Sequence, residues 1–302
     1  MRIGISLTEP SGPKALTELT HQVRQAADDG FASGWISNIF GLDALTALAV
    51  AGSQVPGIEL GTAVVPTYPR HPAVLAQQAL TTALALQGRL ALGIGLSHKI
   101  VIEDMYGHSF DKPARHMREY LTVLQPLLRG EPAHFDGETL HAHIQLSTPR
   151  VGEVPVLLAA LAPQMLRLAG TQADGTVLWM TGPATVADYV VPTITAAAQE
   201  AGRPSPRVVC ILPVCVTDDV AASRAAANKV FAIYGQLPSY RAMLDREGAA
   251  GPGDVAITGP EDTVAGQVRA LADAGVTDFV AGDYSRGPDR QRTRDLLKSL
   301  TS

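Results

Sequence analysis

Cysteine is nearly absent from this chain of 302 residues, occurring only at Cys210 and Cys215. Both lie in an apolar run at residues 208–216 that reads as a strand, and their spacing of five places them on opposite faces. We interpret them as two small thiols of a protein core, in preference to a disulfide or a pair of metal ligands.

Long apolar runs and clusters of basic residues are also missing. No run approaches the roughly 18 residues that a membrane-spanning helix needs, and the opening MRIGISL is too short and too quickly polar for a signal peptide. The net charge of −5 indicates neither nucleic acid nor an acidic membrane as a partner. We therefore expect a cytoplasmic protein.

The signatures of several common enzyme classes are missing as well. The sequence contains no G-x-S-x-G, Walker A or H-E-x-x-H pattern. Hydrolases and nucleoside triphosphatases that depend on those patterns are therefore disfavoured, and a metal-dependent barrel hydrolase is only a distant alternative.

What recurs instead is an amphipathic helix that ends at a glycine and is followed at once by a short apolar strand. Residues 16–29 and 260–274 are two such helices, ending at Gly30 and Gly275. Strands that alternate with helices form parallel βαβ units, and eight such units close into a barrel. We therefore predict an α/β protein, a single-domain (β/α)8 TIM barrel over residues 1–302, with a doubly wound open sheet as the alternative. Eight strands are expected, near residues 2, 34, 58, 89, 154, 174, 208 and 276.

Two segments interrupt this alternation, one after the fourth strand and one after the seventh strand and its helix. Residues 131–153 read as a hairpin with Asp136-Gly137 at its turn. Residues 234–258 are polar and rich in glycine, and they form either a lid or wall of the substrate pocket or a surface excursion.

The hairpin carries three histidines, His134, His141 and His143. Strand alternation places His141 and His143 on one face, which makes a metal site conceivable. We interpret the three as a solvated face, because the hairpin is expected away from the barrel mouth and no carboxylate or cysteine pattern completes a ligand set. A fourth histidine, His71, stands at a helix start and is either a cap or a mouth residue.

Two segments have the composition of a cofactor site. Residues 93–98, GIGLSH, end a strand with small residues that let a flat ring or a phosphate approach the backbone. The dinucleotide fingerprint fails there because His98 replaces its third glycine, so a tight strand end is the alternative. Residues 159–165 join a strand to a helix that starts at Pro163, where free backbone N–H groups can bind phosphate.

Taken together, these segments resemble the bacterial-luciferase-like family. Residues 30–38, GFASGWISN, resemble its GFxSxWvsD segment, and residues 61–66 with 68–72 resemble its third strand and the following helix start. Three further segments resemble its fourth, sixth and eighth strands: residues 88–95, 173–175 and 274–279. The likeness covers nearly the whole chain in order, and the subgroup that it most resembles is that of the F420-dependent reductases and dehydrogenases common in actinobacteria.

The resemblance implies a flavin or deazaflavin at the C-terminal mouth of the barrel, with coenzyme F420 expected and FMN as the alternative. It implies a non-prolyl cis peptide at Ala63-Val64 behind the ring, as a bulge that bows it. It also implies that residues 95–98 line the ring and that residues 159–163 hold the phosphate tail. The cofactor-binding residues expected on this basis are Ser6, Asn38, Ala63, Val64, Gly95, Leu96, Ser97, His98, Ala159, Ala160, Leu161, Ala162 and Pro163.

The sequence departs from the family where the proton donor is expected. Asn38 stands in place of an Asp that touches the ring, and Ile39 replaces the His that many relatives carry next. His98 stands where some relatives place an active-site Glu. We therefore predict His98 and Asn38 as catalytic residues, with His98 as the acid/base because an ordinary imidazole pKa of about 6.5 suits proton transfer at neutral pH. The alternative is that His98 only packs on the ring.

The predicted function is hydride transfer between F420 and a small organic substrate, with substrate reduction favoured over oxidation. An FMN-dependent monooxygenase on the same scaffold is the alternative. A flavin-binding protein without turnover is a more remote one, which the departure at Asn38 and Ile39 keeps open. A homodimer is expected from the resemblance alone, and no metal ligand is assigned.

Overall fold

A computed structural model describes residues 1–301, and across that range the chain forms twelve strands. In chain order these are β1 (Arg2–Ser6), β2 (Ser33–Ile36), β3 (Glu59–Thr62), β4 (Val65–Pro66), β5 (Leu90–Gly95), β6 (Ala133–Asp136), β7 (His141–Ile144), β8 (Val156–Leu158), β9 (Gly175–Trp179), β10 (Arg207–Val216), β11 (Ile257–Gly259) and β12 (Asp278–Asp283). Eight of them correspond to the eight predicted strands.

These eight strands close into a barrel. Each pairs in parallel with the next, in the order β1, β2, β3, β5, β8, β9, β10 and β12. The pairing of β12 with β1 then completes the circle. The predicted TIM barrel is thus confirmed, and the open-sheet alternative is excluded because such a sheet has two unpaired edges.

Helices surround the barrel. Over residues 1–301 they are α1 (Ala15–Asp28), α2 (Ala44–Gly52), α3 (Pro72–Ala85), α4 (Pro113–Leu128), α5 (Pro163–Gln172), α6 (Pro183–Thr185), α7 (Val191–Glu200), α8 (Val220–Val230), α9 (Pro238–Glu247), α10 (Pro252–Val255), α11 (Glu261–Asp273) and α12 (Asp289–Ser299). Single π-helical turns occur at Val101–Met105 and Val186–Val190, and a 3-10 turn at Ala232–Gly235. None of the helices described here combines the length and the apolar character that crossing a membrane requires.

The helix ends follow from local chemistry. The His71 ring accepts from the N–H of Ala73 at 3.2 Å, so His71 is the N-cap of α3, one of its two predicted roles. Gly30 after α1 and Gly275 after α11 have φ of 83° and 94°. Only glycine adopts this left-handed region readily, which explains why both helices stop there.

The barrel has a packed interior whose N-terminal end is closed. Trp35 fills this interior and is fully buried, with its indole N–H donating to Ser33 Oγ at 2.9 Å. Beneath it, the Arg207 guanidinium lies 5.7 Å from the Trp35 ring centre and bonds to the carboxylates of Glu59 and Asp278. A ligand can therefore enter only from the C-terminal end.

Gly61 makes room for Trp35, which yields a test of this packing. A Cβ at Gly61 would lie 2.3 Å from the Trp35 ring. We expect Gly61→Ala to lower the free energy of unfolding in urea by about 1–3 kcal/mol through overpacking. Gly266→Ala is the matched control, because the nearest atom to its Cβ is 3.9 Å away inside α11. Gly266→Ala should raise the free energy of unfolding by about 0.5–1 kcal/mol. Equal effects of the two substitutions would contradict the account.

Strands β6 and β7 confirm the predicted hairpin, with Asp136 opposite His141. They also correct one prediction, that no carboxylate completes a histidine ligand set. Asp136 Oδ1 lies 2.5 Å from His141 Nδ1 and 3.0 Å from His143 Nε2. The correction depends on the cross-strand register, which spacing along the sequence does not reveal.

The two cysteines and the insertion at residues 234–258 can also be compared with their predictions. Cys210 and Cys215 are free and buried in β10, as predicted. The insertion at residues 234–258 is mostly helical and leads into β11, which pairs with the C-terminal end of β10. Strands β4 and β11 and helix α12 were not predicted from the sequence.

Candidate active site at the barrel mouth

The C-terminal ends of the barrel strands line one open mouth. Most of the sequence-predicted site residues lie there and are half-buried, whereas the strand residues before them are buried. The half-buried ones are Ser6, Asn38, Ala63, Val64, Leu96, Ser97, His98, Ala159 and Leu161. The structure therefore gathers at one place residues that are far apart in the sequence.

The floor of the mouth is formed by Ala63, Val64 and Trp179, which pack on the inner core of the barrel. The peptide bond between Ala63 and Val64 is cis, as the family resemblance implied. The indole nitrogen of Trp179 is buried on the side of Tyr234.

Strand β5 contains Gly93 and Gly95 because neighbouring residues approach its backbone closely at both positions. A Cβ at Gly95 would lie 2.7 Å from Val64 Cγ2 and 3.1 Å from Ala159 Cβ. A Cβ at Gly93 would lie 1.9 Å from the carbonyl oxygen of Thr62. Close packing at the strand end therefore requires the two glycines of the GIG sequence, as the tight-strand-end alternative predicted.

Ser97 continues the mouth with an unusual backbone. It has φ of 62°, a region that non-glycine residues enter only at a cost of the order of 1 kcal/mol. Such residues cluster at functional sites, so this conformation agrees with a role of residues 95–98 in binding.

His98 lies under an aromatic wall supplied by the insertion at residues 234–258. Its ring centre is 5.8 Å from that of Tyr240, which in turn contacts Tyr234 at 5.1 Å. Tyr234 contacts Trp179 edge-on at 5.7 Å. Burial in this setting lowers the pKa of His98 below its ordinary value, so the ring is neutral at pH 7.

The insertion is anchored at the mouth by Glu247 at the end of α9. Its carboxylate accepts from the N–H groups of Ala184 at 3.1 Å and Thr185 at 2.7 Å, at the start of α6. The insertion thus forms a wall of the barrel mouth at His98, whereas none of its residues lines the cavity at residues 38–43 and 66–70.

An open cavity of about 440 Å³ lies between the loop at residues 38–43 and the segment at residues 66–70. The side-chain Oδ1 of Asn38 accepts from the N–H of Ala44 at 3.0 Å, which braces the loop before α2 and leaves the side-chain Nδ2 to donate to a ligand. The cavity is lined by Asn38, Ile39, Phe40, Gly41, Leu42, Asp43, Pro66, Pro69, Arg70 and Tyr106. Apart from Asn38, none of these residues was predicted as a site residue from the sequence.

Arg70 and Asp43 place an ion pair in the cavity wall. Burial raises the pKa of Asp43, but hydrogen bonds from Thr46 and the charge of Arg70 outweigh it and lower the pKa below its usual range. Asp43 therefore stays ionised and holds the Arg70 guanidinium at the cavity.

The start of α5 is open to a ligand. Ala162 is its N-cap, with an extended backbone and no side-chain acceptor, and Pro163 is the first helical residue. The N–H groups of Gln164 and Met165 follow, in a stretch that is exposed from Ala162 to Gln164. Tyr189 fixes the preceding loop by donating its hydroxyl to the carbonyl of Leu161 at 2.9 Å. These features suit phosphate binding.

A buried histidine braces the loop between β4 and α3. His116 of α4 stacks on Tyr68 with ring centres 4.0 Å apart, and its Nε2 lies 3.1 Å from Thr67 Oγ1. Burial lowers the pKa of His116 to about 4, although the charge of Glu119 opposes the shift. The imidazole is therefore neutral in the folded protein well into the acidic range.

This pKa predicts a loss of stability in acid. The unfolded chain binds a proton at His116 near pH 6.5, whereas the folded protein does so only near pH 4. The free energy of unfolding should thus fall between these pH values, by up to about 3 kcal/mol. His116→Phe keeps the stacking but not the titration. Urea unfolding at several pH values should show that the free energy of unfolding falls less in the variant than in the wild type. An equal fall in both proteins would refute the assignment of this pH dependence to His116.

Comparisons with known proteins bear on the family and the fold. The family model for luciferase-like monooxygenases matches residues 1–291. A 5,10-methylenetetrahydromethanopterin reductase of Methanolobus tindarius is 27% identical over 328 residues, covering 98% of this chain and 98% of that protein.

Two solved structures share the fold. The coenzyme F420 dependent tetrahydromethanopterin reductase from Methanopyrus kandleri superposes with a TM-score of 0.79 at 24% identity, covering 98% of this chain and 97% of that one. The oxygenating constituent of 3,6-diketocamphane monooxygenase from Pseudomonas putida, in complex with FMN, has a TM-score of 0.79 at 19% identity, covering 100% and 97%.

Proposed function

Because the chain belongs to the luciferase-like monooxygenase family, we propose that it is an oxidoreductase that transfers a hydride between coenzyme F420 and a small organic substrate. The observation that carries the proposal is the floor of the mouth, where Ala63 and Val64 pack on the inner core of the barrel and the Gly95 strand end approaches Val64 closely. The relationship to a methylenetetrahydromethanopterin reductase of similar length supports a reductase.

The residues present fit F420. Its tricyclic ring would lie on Ala63 and Val64 against residues 95–98, with Ser6 and Asn38 at its edges. Its phosphate would accept from the N–H groups at the start of α5, after residues 159–163. The exposure of that helix start leaves room for the glutamyl tail that continues beyond the phosphate in F420. When bound, F420 supplies two-electron hydride transfer, so the protein needs to bind, orient and shield.

His98 and Asn38 are the residues that we assign to the chemistry. Substrate reduction consumes a proton as well as a hydride, and His98 is the titratable ring beside the floor. Because burial lowers its pKa, the protonated ring is a stronger acid than ordinary imidazolium. The Asn38 amide would donate to the ring system or to the substrate, since its carbonyl is used at Ala44.

The cavity at residues 38–43 and 66–70 is the proposed substrate pocket. Its volume of about 440 Å³ falls within the range typical of small-molecule sites. Phe40 and Tyr106 offer apolar surface and Arg70 offers positive charge at its wall. Reduction is the direction we propose, and cytoplasmic location and a homodimer remain predictions.

An FMN-dependent monooxygenase is the second candidate. The observation that favours it is the shared barrel of the FMN-bound Pseudomonas putida protein. FMN ends at one phosphate, which the start of α5 would also accommodate.

Titration of the purified protein with F420 and with FMN, followed by fluorescence quenching, distinguishes the two. We expect saturable binding of F420 at lower concentration than FMN, followed by hydride transfer to or from trial substrates. Tight FMN binding without F420 binding would establish the second candidate instead.

A further inference from the structure

The exposed face of the β6–β7 hairpin carries an unusual concentration of ligand-type side chains. In the antiparallel pairing His134 lies opposite His143, and Asp136 lies opposite His141. Alternation along both strands sends these four side chains to the same face. The opposite face is apolar, and its residues Ala133 and Ala142 join the hydrophobic core.

The side chains already converge. One ligand atom from each of Asp136, His141 and His143 lies within 4.8 Å of the other two. Asp136 Oδ1 is the common point, at 2.5 Å from His141 Nδ1 and 3.0 Å from His143 Nε2. The His134 ring is adjacent, with its centre 5.7 Å from that of His143.

The backbone under this face is held in place. The buried carboxylate of Glu119, on α4, accepts from the N–H groups of Glu138, Thr139 and Leu140 at 2.8–3.0 Å, which fixes the hairpin turn. On β7, the carbonyl of His141 lies 3.2 Å from His71 Nε2. Because the turn and strands are fixed, the ligand side chains need only rotate to close around an ion.

We propose that Asp136, His141 and His143 bind a divalent transition-metal ion of the Zn²⁺ type, with His134 as the fourth ligand. Two or three imidazole nitrogens with one carboxylate oxygen are ligands that such ions prefer. Around a tetrahedral ion with bonds of about 2.0–2.2 Å, ligand atoms lie roughly 3.4 Å apart. The present separations reach this arrangement through small rotations of exposed side chains.

The competing interpretation is an ordinary surface ion pair, with Asp136 shared between two imidazoles. Such exposed pairs contribute only about 0–1 kcal/mol and bind no ion. The site lies on the hairpin and is independent of the proposed function at the barrel mouth, so either can fail without the other.

The test is calorimetric titration of the EDTA-treated, dialysed full chain with Zn²⁺, together with the visible absorption of the protein with Co²⁺. We expect one ion per chain and the intense Co²⁺ bands of a tetrahedral site. Asp136→Ala and His143→Ala should each weaken Zn²⁺ binding by at least about 10–100-fold, the loss known for residues that merely support a ligand. His21→Ala is the matched control, an exposed histidine on α1 whose loss should change nothing.

Thermal unfolding provides an independent readout. Zn²⁺ should raise the Tm of the wild type and of His21→Ala, but not that of His143→Ala. Absence of saturable binding, or wild-type affinity in both Asp136→Ala and His143→Ala, would overturn the site. An unchanged affinity in His134→Ala would overturn the assignment of the fourth ligand.

Discussion

An Ala162→Asp variant is expected to bind F420 about 100-fold more weakly, or weaker still, and at the same time to be more stable. Ala162 is the N-cap of α5 and has the extended backbone that capping requires, but no side-chain acceptor. Aspartate would accept from the free N–H groups there and add about 1 kcal/mol to the free energy of unfolding. Its charge would stand where the cofactor phosphate is proposed to bind, and like charges in contact cost several kcal/mol.

The opposite signs of the two effects separate binding from folding. Fluorescence titration measures the affinity, and urea unfolding measures the stability. Lys14→Asp is the matched control, because Lys14 is the N-cap of α1 and also lacks a side-chain cap bond. It should leave the affinity unchanged. Wild-type affinity in Ala162→Asp would show that the phosphate is not held at α5.

A His98→Ala variant is expected to lose turnover by about 10²–10⁴-fold, the usual contribution of a positioned acid or base. Its affinity for F420 should change little, because the floor at Ala63 and Val64 is untouched. His108→Ala, at an exposed histidine, is the control and should retain full rate. Full turnover in His98→Ala would leave His98 as a packing residue only.

The pH profile gives His98 a signature that a packing role would not have. Its pKa is lowered by burial, so the protonated ring is scarce at pH 7. In the direction of substrate reduction, kcat/KM should therefore rise as the pH falls below 7, and this rise should disappear in His98→Ala. The same profile in both proteins would assign the proton to another group.

The barrel could be predicted from the sequence because its signals are local. Each parallel strand is an apolar run after a helix, and glycines such as Gly30 and Gly275 mark the boundaries. In contrast, α12 was missed because only Thr293 and Leu297 of its eleven residues are buried, which leaves little hydrophobic pattern. Strand β11 was missed because three residues carry too little signal.

The candidate site was predictable only in part. The cis bond at Ala63-Val64 followed from family resemblance, since nothing in those letters dictates it. The cavity joins loops at residues 38–43 and 66–70 to Tyr106, and the wall brings Tyr240 to His98. Such contacts depend on loop conformation, which the spacing of residues does not determine. The position of Asp136 beside His141 and His143 was likewise not predicted, because it depends on the register of the two strands.

The most direct test of the central claim is a crystal structure of the protein with F420 bound. We predict that the deazaflavin ring lies on the Ala63-Val64 bond beside residues 95–98, with the phosphate at the N–H groups of Gln164 and Met165. A ring bound away from this floor, or a phosphate bound away from the start of α5, would contradict the account.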